Sequence, residues 1–131
     1  PHRYAYAGAF SAPVQLQEFV TSEKEVALRG LDKERIGWFG PEYQVPPESD
    51  VFSLAQQIRK PPPLFLACGK QDAFYGANRY FAHHLSGLGF QREWFEQNGE
   101  HDWPFWETAL TQFLKFCAAG SSANSPGCSA N

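Results

Sequence analysis

The sequence lacks methionine, and it lacks any apolar run close to the roughly 20 residues that a membrane-spanning helix needs. Its first residues, from Pro1 to Tyr4, also lack the basic, apolar and small-residue regions of a signal peptide. We therefore expect no membrane partner. Because there is no initiator methionine, we expect the true start of the protein to lie upstream of Pro1, which leaves export open.

Basic residues are not in excess, and the cysteines and the adjacent histidines do not have the spacing of metal ligands. The 14 acidic and 11 basic residues give a formal net charge of −3, so no nucleic-acid partner is expected. Cys68, Cys117 and Cys128 cannot all pair, and their spacing matches no zinc pattern. The adjacent His83 and His84 would point about 100° apart on a helix and cannot chelate one metal. We expect no metal, and the cysteine usage favours a reducing compartment such as the cytoplasm.

Apolar and aromatic residues make up 43% and 16% of the chain, in short apolar runs that alternate with amphipathic segments. This alternation predicts an α/β fold with parallel strands between helices. The predicted strands are residues 4–10, 64–68 and 91–96, the predicted helices are 51–58, 78–88 and 103–117, and a short helix within 15–25 precedes an irregular excursion over 30–50. The residues expected to face the core are Tyr80, Phe81, Leu85 and Leu88 in one helix and Phe105, Trp106, Ala109, Leu110, Phe113 and Leu114 in the next. We expect a domain portion over 1–118 and a disordered tail over 119–131.

A polar residue follows each predicted strand, namely Ser11, Asp72 and His101. In open parallel sheets, ligands bind beyond the carboxyl ends of the strands, which makes these residues the candidate site. A carboxylate beside a histidine fixes its tautomer and stabilises the imidazolium that forms when the other nitrogen takes a proton. A catalytic acid and base at Asp72 and His101 is therefore one interpretation of their positions, and a pair of ordinary turn and helix-end residues is the other.

Two segments carry a resemblance to a known family: residues 63–72, which read Pro-Leu-Phe-Leu-Ala-Cys-Gly-Lys-Gln-Asp, and the turn 99–103, which reads Gly-Glu-His-Asp-Trp. They resemble the acid turn and the histidine turn of the esterase D-like family of α/β-hydrolases, which includes tributyrin esterases, S-formylglutathione hydrolases and related acetyl and feruloyl esterases. The resemblance covers residues 1–118, as the C-terminal part of that fold. It implies hydrolysis of a small-molecule carboxylic ester by a Ser-Asp-His triad, with Asp72 and His101 as acid and base and without a cofactor.

The nucleophile of such a triad is missing from the sequence. No serine has glycines two positions before and after it, as the nucleophile elbow G-x-S-x-G requires, and Ser11 and Ser86 both fail this pattern. The oxyanion-hole loop of the family is also missing. We therefore expect the serine to lie upstream of Pro1 and this fragment alone to be inactive.

Each candidate residue also has a structural interpretation. Asp72 and His101 suit turns and helix ends, and Asp50 is a second candidate acid that a helix N-cap explains equally well. Asp102 lies next to the histidine in sequence and is expected to cap the last helix. Trp103, beside His101, is the candidate substrate-binding residue.

A different class of function fits the same fold. The alternative is a non-catalytic carbohydrate- or protein-binding module, in which exposed aromatic residues on an α/β-hydrolase-like sheet make the contacts. A serine at the upstream elbow would support the esterase, whereas a replaced serine would support the binding module. The sequence predicts no oligomeric state.

Overall fold

Three parallel strands form the sheet in the part of the chain that the structure describes. In the computed structural model, which describes residues 4–22, 37–40 and 42–123, the strands are β1 (Ala7–Phe10), β2 (Leu64–Gly69) and β3 (Arg92–Gln97), in the order β1-β2-β3. Residue Ala7 pairs with Leu64, which in turn pairs with Arg92, so the strands end at one edge of the sheet. The residues that follow them meet at that rim.

Helices connect the strands and cover both faces of the sheet. Helix α1 (Leu16–Thr21) follows β1, and a 3₁₀ turn (Pro47–Ser49) leads into α2 (Val51–Gln57). Helix α3 (Tyr75–Gly87) joins β2 to β3, and α4 (Trp103–Ala123) follows β3. This order confirms the predicted α/β fold with parallel strands.

Strand β2 is buried on both faces, which explains its wholly apolar sequence. Leu66 packs with Phe81 and Leu85 of α3 on one face of the sheet. On the other face, Phe65 packs in a separate core with Phe105 of α4. Burial of each side chain of this size stabilises the folded state by about 1.5–3 kcal/mol. Because Phe65 and Leu66 are neighbours in β2, this strand connects the two cores.

Four predictions of inward-facing side chains are wrong. Tyr80 and Leu88 are 62% and 42% exposed, and Leu110 and Leu114 are 48% and 59% exposed. The reason is that each helix buries a narrow stripe of residues. In α3 the buried residues are Asn78, Phe81, Ala82 and Leu85, at intervals of three and four, which turns Tyr80 away from the sheet.

Element boundaries also differ from the sequence-based expectation. Strand β1 begins at Ala7 because pairing with β2 begins there, and α3 begins at Tyr75, whose N–H already donates to the Asp72 carbonyl at 3.0 Å. Helix α4 continues to Ala123, past its predicted end at residue 117. It does so against the Tyr6 ring, which leaves no room for a Cβ atom at Gly120.

Parts of two predicted segments lie outside the described residues. They are residues 23–36 and 41, which belong to the predicted short helix and excursion, and residues 124–131, which belong to the predicted tail. Within the described part of the excursion, Gln17 of α1 donates to the Tyr43 carbonyl at 3.0 Å and accepts from the Val45 N–H at 2.9 Å. No helix among the described residues is long and apolar enough to cross a bilayer.

Candidate functional site

Asp72 lies in the turn that follows β2, with its side chain withdrawn from solvent. Its N–H donates to the Gly69 carbonyl at 3.1 Å, which closes the turn. Its Oδ1 accepts the backbone N–H of Phe74 at 2.8 Å, and its side chain has no exposed surface. A buried carboxylate is stable only when it is hydrogen-bonded or paired, and this one uses its second oxygen for a histidine.

His101 lies in the turn that follows β3, and its ring meets that second oxygen. The distance from His101 Nδ1 to Asp72 Oδ2 is 3.0 Å, across 29 residues of sequence. Because the carboxylate only accepts, Nδ1 carries the proton and Nε2 is the basic nitrogen. The His101 side chain is 35% exposed, so the pair joins a buried acid to an accessible base. The catalytic role of the pair stays a prediction.

The end of β2 and the histidine turn approach closely because Gly69 has no Cβ atom, and the absence of a Cβ on Gly99 lets the Phe105 ring pack against that turn. A Cβ atom on Gly69 would overlap the carbonyl of Gly99, and a Cβ on Gly99 would come within 2.9 Å of the Phe105 ring. Gln71 then ties the turns together: its N–H donates to the Gly99 carbonyl at 3.0 Å, and its Oε1 accepts the Gly99 N–H at 2.7 Å. These contacts hold together the two turns that carry Asp72 and His101.

Two aromatic rings flank the imidazole. Phe74 lies 5.4 Å from the His101 ring, centroid to centroid, and Trp106 lies 4.9 Å from it, both nearly perpendicular. The Trp106 indole N–H donates to Ser11 Oγ at 3.2 Å. The residue after β1 therefore contacts the site through Trp106, and no hydrogen bond joins the described Ser11 and His101.

The other sequence candidates are arranged differently. Trp103 is 72% exposed and packs its ring on Trp106 at 5.4 Å, so its predicted role in substrate binding is not tested by this geometry. Asp102 caps α4 by accepting the Phe105 N–H at 3.2 Å, as predicted. Asp50 caps α2 by accepting from Phe52 and Ser53, which confirms its structural interpretation.

Sequence reasoning did not identify Phe74, Gln71 or the role of Trp106 beside His101. A signal for Trp106 exists. Asp102 is the N-cap of α4, so His101 is the residue before the cap and Trp106 is the fourth residue of the helix. Side chains at these two positions often pack against each other, as the two rings do here. No comparable sequence signal indicates Phe74 or Gln71, because their contacts depend on the turn after β2.

Cys68, next to the site, is not a second nucleophile. Burial raises the pKa of its thiol to about 12, and the Asp72 charge adds to this shift. The thiolate is the reactive form of cysteine, so the Cys68 thiol is unreactive at neutral pH. The described residues contain no group of three or more His, Cys, Asp or Glu side chains that could hold a metal ion.

A small cleft borders the site on the far side of Phe74. It has a volume of about 240 Å³ between α1 and the start of α3. Its apolar wall includes Phe19, Phe74 and Ala77, and Glu18 lies at its polar side. Since Phe74 also contacts His101, the cleft lies one ring away from the imidazole.

Comparison with known proteins gives a consistent picture. No family model matches the chain. A curated acetyl esterase of Caldicellulosiruptor saccharolyticus is 34% identical over 66 residues, which are 50% of this chain and 25% of the relative. Among solved structures, a fluorophosphonate-binding serine hydrolase of Staphylococcus aureus, substrate bound, is similar with a TM-score of 0.59 and 24% identity, over 87% of this chain and 44% of that chain. The chain has an α/β-hydrolase fold.

Two further structures share this α/β-hydrolase fold. An S-formylglutathione hydrolase of Staphylococcus aureus is similar with a TM-score of 0.59 and 22% identity, over 87% of this chain and 41% of that chain. A ferulic acid esterase has a TM-score of 0.57 and 18% identity, over 86% of this chain and 40% of that chain. The likeness confirms the predicted esterase-like α/β-hydrolase resemblance. The chain spans less than half the length of each of these structures.

Proposed function

We propose that this chain is the part of a serine carboxylesterase that supplies the acid and the histidine of a Ser-His-Asp triad. The observation that carries the proposal is the 3.0 Å contact between Asp72 Oδ2 and His101 Nδ1 at the carboxyl-end rim of a parallel sheet. The similarity to a curated acetyl esterase supports ester hydrolysis as the reaction. The serine and the oxyanion hole lie in sequence upstream of Pro1.

In this mechanism His101 is first a general base and then a general acid. Its Nε2 takes the proton of the upstream serine as the serine oxygen attacks the ester carbonyl, and it gives that proton to the leaving alcohol. An acyl-enzyme remains, and a water molecule activated by the same nitrogen hydrolyses it. Asp72 holds the ring in the tautomer that leaves Nε2 basic and stabilises the imidazolium. No cofactor or metal takes part.

On this proposal the substrate is a small-molecule ester. The cleft beside Phe74, at about 240 Å³, is smaller than the roughly 300–1,000 Å³ of pockets for drug-sized ligands. Its partly apolar wall suits a few methylene groups. This chain alone lacks a nucleophile elbow, so on this proposal it is inactive without the upstream half.

Hydrolysis of p-nitrophenyl acetate by the full-length protein tests the proposal. We expect His101→Ala and Asp72→Asn to lower kcat/KM by roughly 10⁴-fold, because each removes one member of a triad. His83→Ala is the matched control: this histidine is exposed on α3, and its loss should leave turnover unchanged. Undiminished turnover in His101→Ala would remove the histidine from the mechanism.

A further inference from the structure

Ser11 adopts a backbone conformation that is unusual for a serine, directly after β1. Its φ is +50°, and the residue is 2% exposed. Residues other than glycine rarely adopt positive φ, and such conformations persist where surrounding contacts over-determine them. Here the Ser11 N–H donates to the Ala67 carbonyl at 2.8 Å, and Asn78 Nδ2 donates to the Ala12 carbonyl at 2.7 Å. The backbone is thus held on both sides of the serine.

The hydroxyl of Ser11 is directed to a residue that contacts the candidate base. Its Oγ accepts the Trp106 indole N–H at 3.2 Å, across 95 residues of sequence, and lies 3.8 Å from Cys68 Sγ. The Trp106 ring stands at 86° to the His101 ring, with centroids 4.9 Å apart. A serine on β1 and a histidine after β3 are therefore linked by one indole.

Three side chains then limit the movement of the imidazole. Asp72 bonds Nδ1, Phe74 contacts the ring at 5.4 Å, and Trp106 contacts it at 4.9 Å. His101 is partly exposed on a turn, and without side contacts its ring could rotate away from the carboxylate. The Trp106 ring restricts that rotation only while its own orientation is maintained, which the bond to Ser11 provides.

We infer that the hydrogen bond from Trp106 Nε1 to Ser11 Oγ positions the His101 ring for proton transfer, and that Ser11 and Trp106 are positioning residues of this site. The inference rests on the proposed function for its kinetic consequence. It also explains why a serine occupies a positive-φ site at which glycine would meet no steric penalty: the hydroxyl is needed as an acceptor.

The test uses substitutions in the full-length protein that remove this one hydrogen bond from either side. Ser11→Ala and Ser11→Gly delete the acceptor, and the glycine variant also relieves the positive φ. Trp106→Phe keeps an aromatic ring against His101 but deletes the donor. We expect each to lower kcat by about tenfold with KM changed less than about twofold, because ring misplacement affects the chemical step. The double variant Ser11→Ala/Trp106→Phe should have a kcat no lower than that of either single variant, since both substitutions remove the same hydrogen bond.

Nuclear magnetic resonance of ¹⁵N-histidine-labelled protein gives a readout that does not depend on turnover. The His101 Nδ1 proton should exchange faster with water in the Ser11 and Trp106 variants than in the wild type. Trp94→Phe is the matched control, because its indole N–H donates to Glu96 Oε2 at 2.7 Å, in a contact that does not involve His101. It should lower stability and leave both kcat and proton exchange unchanged.

The outcomes separate this inference from the proposed function. Normal kcat and normal Nδ1 proton exchange in Ser11→Gly and Trp106→Phe would overturn the positioning role, even if His101→Ala is inactive. An active His101→Ala would overturn the proposed function, while faster proton exchange in the Ser11 variants would still support the positioning role. If Trp94→Phe lowered kcat as much as the Ser11 and Trp106 variants do, the effect would be one of stability alone, and this too would overturn the inference.

Discussion

Gly69→Ala is the substitution that most directly tests how the two turns determine the site. The added Cβ would lie within 3.0 Å of the Gly99 carbonyl, a separation that real Cβ atoms essentially never show. The turns must separate by roughly 1 Å to restore ordinary van der Waals distance. That shift would lengthen the hydrogen bond from the Gln71 N–H to the Gly99 carbonyl, which is now 3.0 Å long. It would also lengthen the distance between Asp72 Oδ2 and His101 Nδ1, which is also 3.0 Å. Overpacking of this kind costs about 1–3 kcal/mol of unfolding free energy.

The same shift predicts a loss of activity. A misplacement of about 1 Å costs on the order of 10²-fold in rate, so kcat for p-nitrophenyl acetate should fall by about that factor in the full-length protein. Urea unfolding measures the stability term, and steady-state kinetics measures the catalytic term. Gly76→Ala is the control, because a Cβ on this α3 residue meets nothing within 4 Å; it should be neutral or stabilising by up to about 1 kcal/mol. Wild-type stability and wild-type kcat in Gly69→Ala would refute the reasoning.

Two further predictions concern groups near the rim. Hydrogen bonds from Trp94 and Tyr75 lower the pKa of Glu96, so its contribution to stability is present above the unfolded-state pKa of about 4.5 and is lost as pH falls through the lower folded-state pKa. In Glu96→Gln, the unfolding free energy should therefore fall less steeply than in the wild type as the pH decreases below about 5. Circular dichroism at a series of acid pH values measures this, and the same decrease in both proteins would contradict the lowered pKa of Glu96. With a pKa raised to about 12 by burial, the Cys68 thiol should react with a disulfide reagent at pH 8 far more slowly than the half-buried Cys117. Mass spectrometry of the labelled peptides measures the two rates, and equal rates would show that Cys68 is accessible.

Much of the fold could be predicted from local pattern. The run over Leu64–Gly69 is apolar throughout because both faces of β2 are covered, and this pattern is readable without coordinates. The helix positions followed from periodicity and from caps such as Asp50 and Asp102. The failures, such as exposed Tyr80, arose because periodicity gives a helical face but not the width of the stripe that a neighbouring sheet covers.

The candidate pair could be predicted because both residues follow strands. Parallel strands carry the residues after them to one edge, so position alone indicated that Asp72 and His101 would lie near each other. Position after a strand also indicated Ser11, but it did not indicate the bond of Ser11 to Trp106. Phe74 and Gln71 could not be found in this way, because their contacts with the histidine turn span long stretches of sequence and no local spacing encodes them.

The sequence by itself determined the alternation of strands and helices, the buried central strand and the two polar residues at strand ends. Only the tertiary structure decided the 3.0 Å distance between the carboxylate and the imidazole, and the contact of Trp106 with both Ser11 and His101. The physical reason is that local patterns report burial and backbone preference. The distance between two turns depends on how closely their backbones approach, and here the absence of a Cβ atom on Gly69 allows that approach.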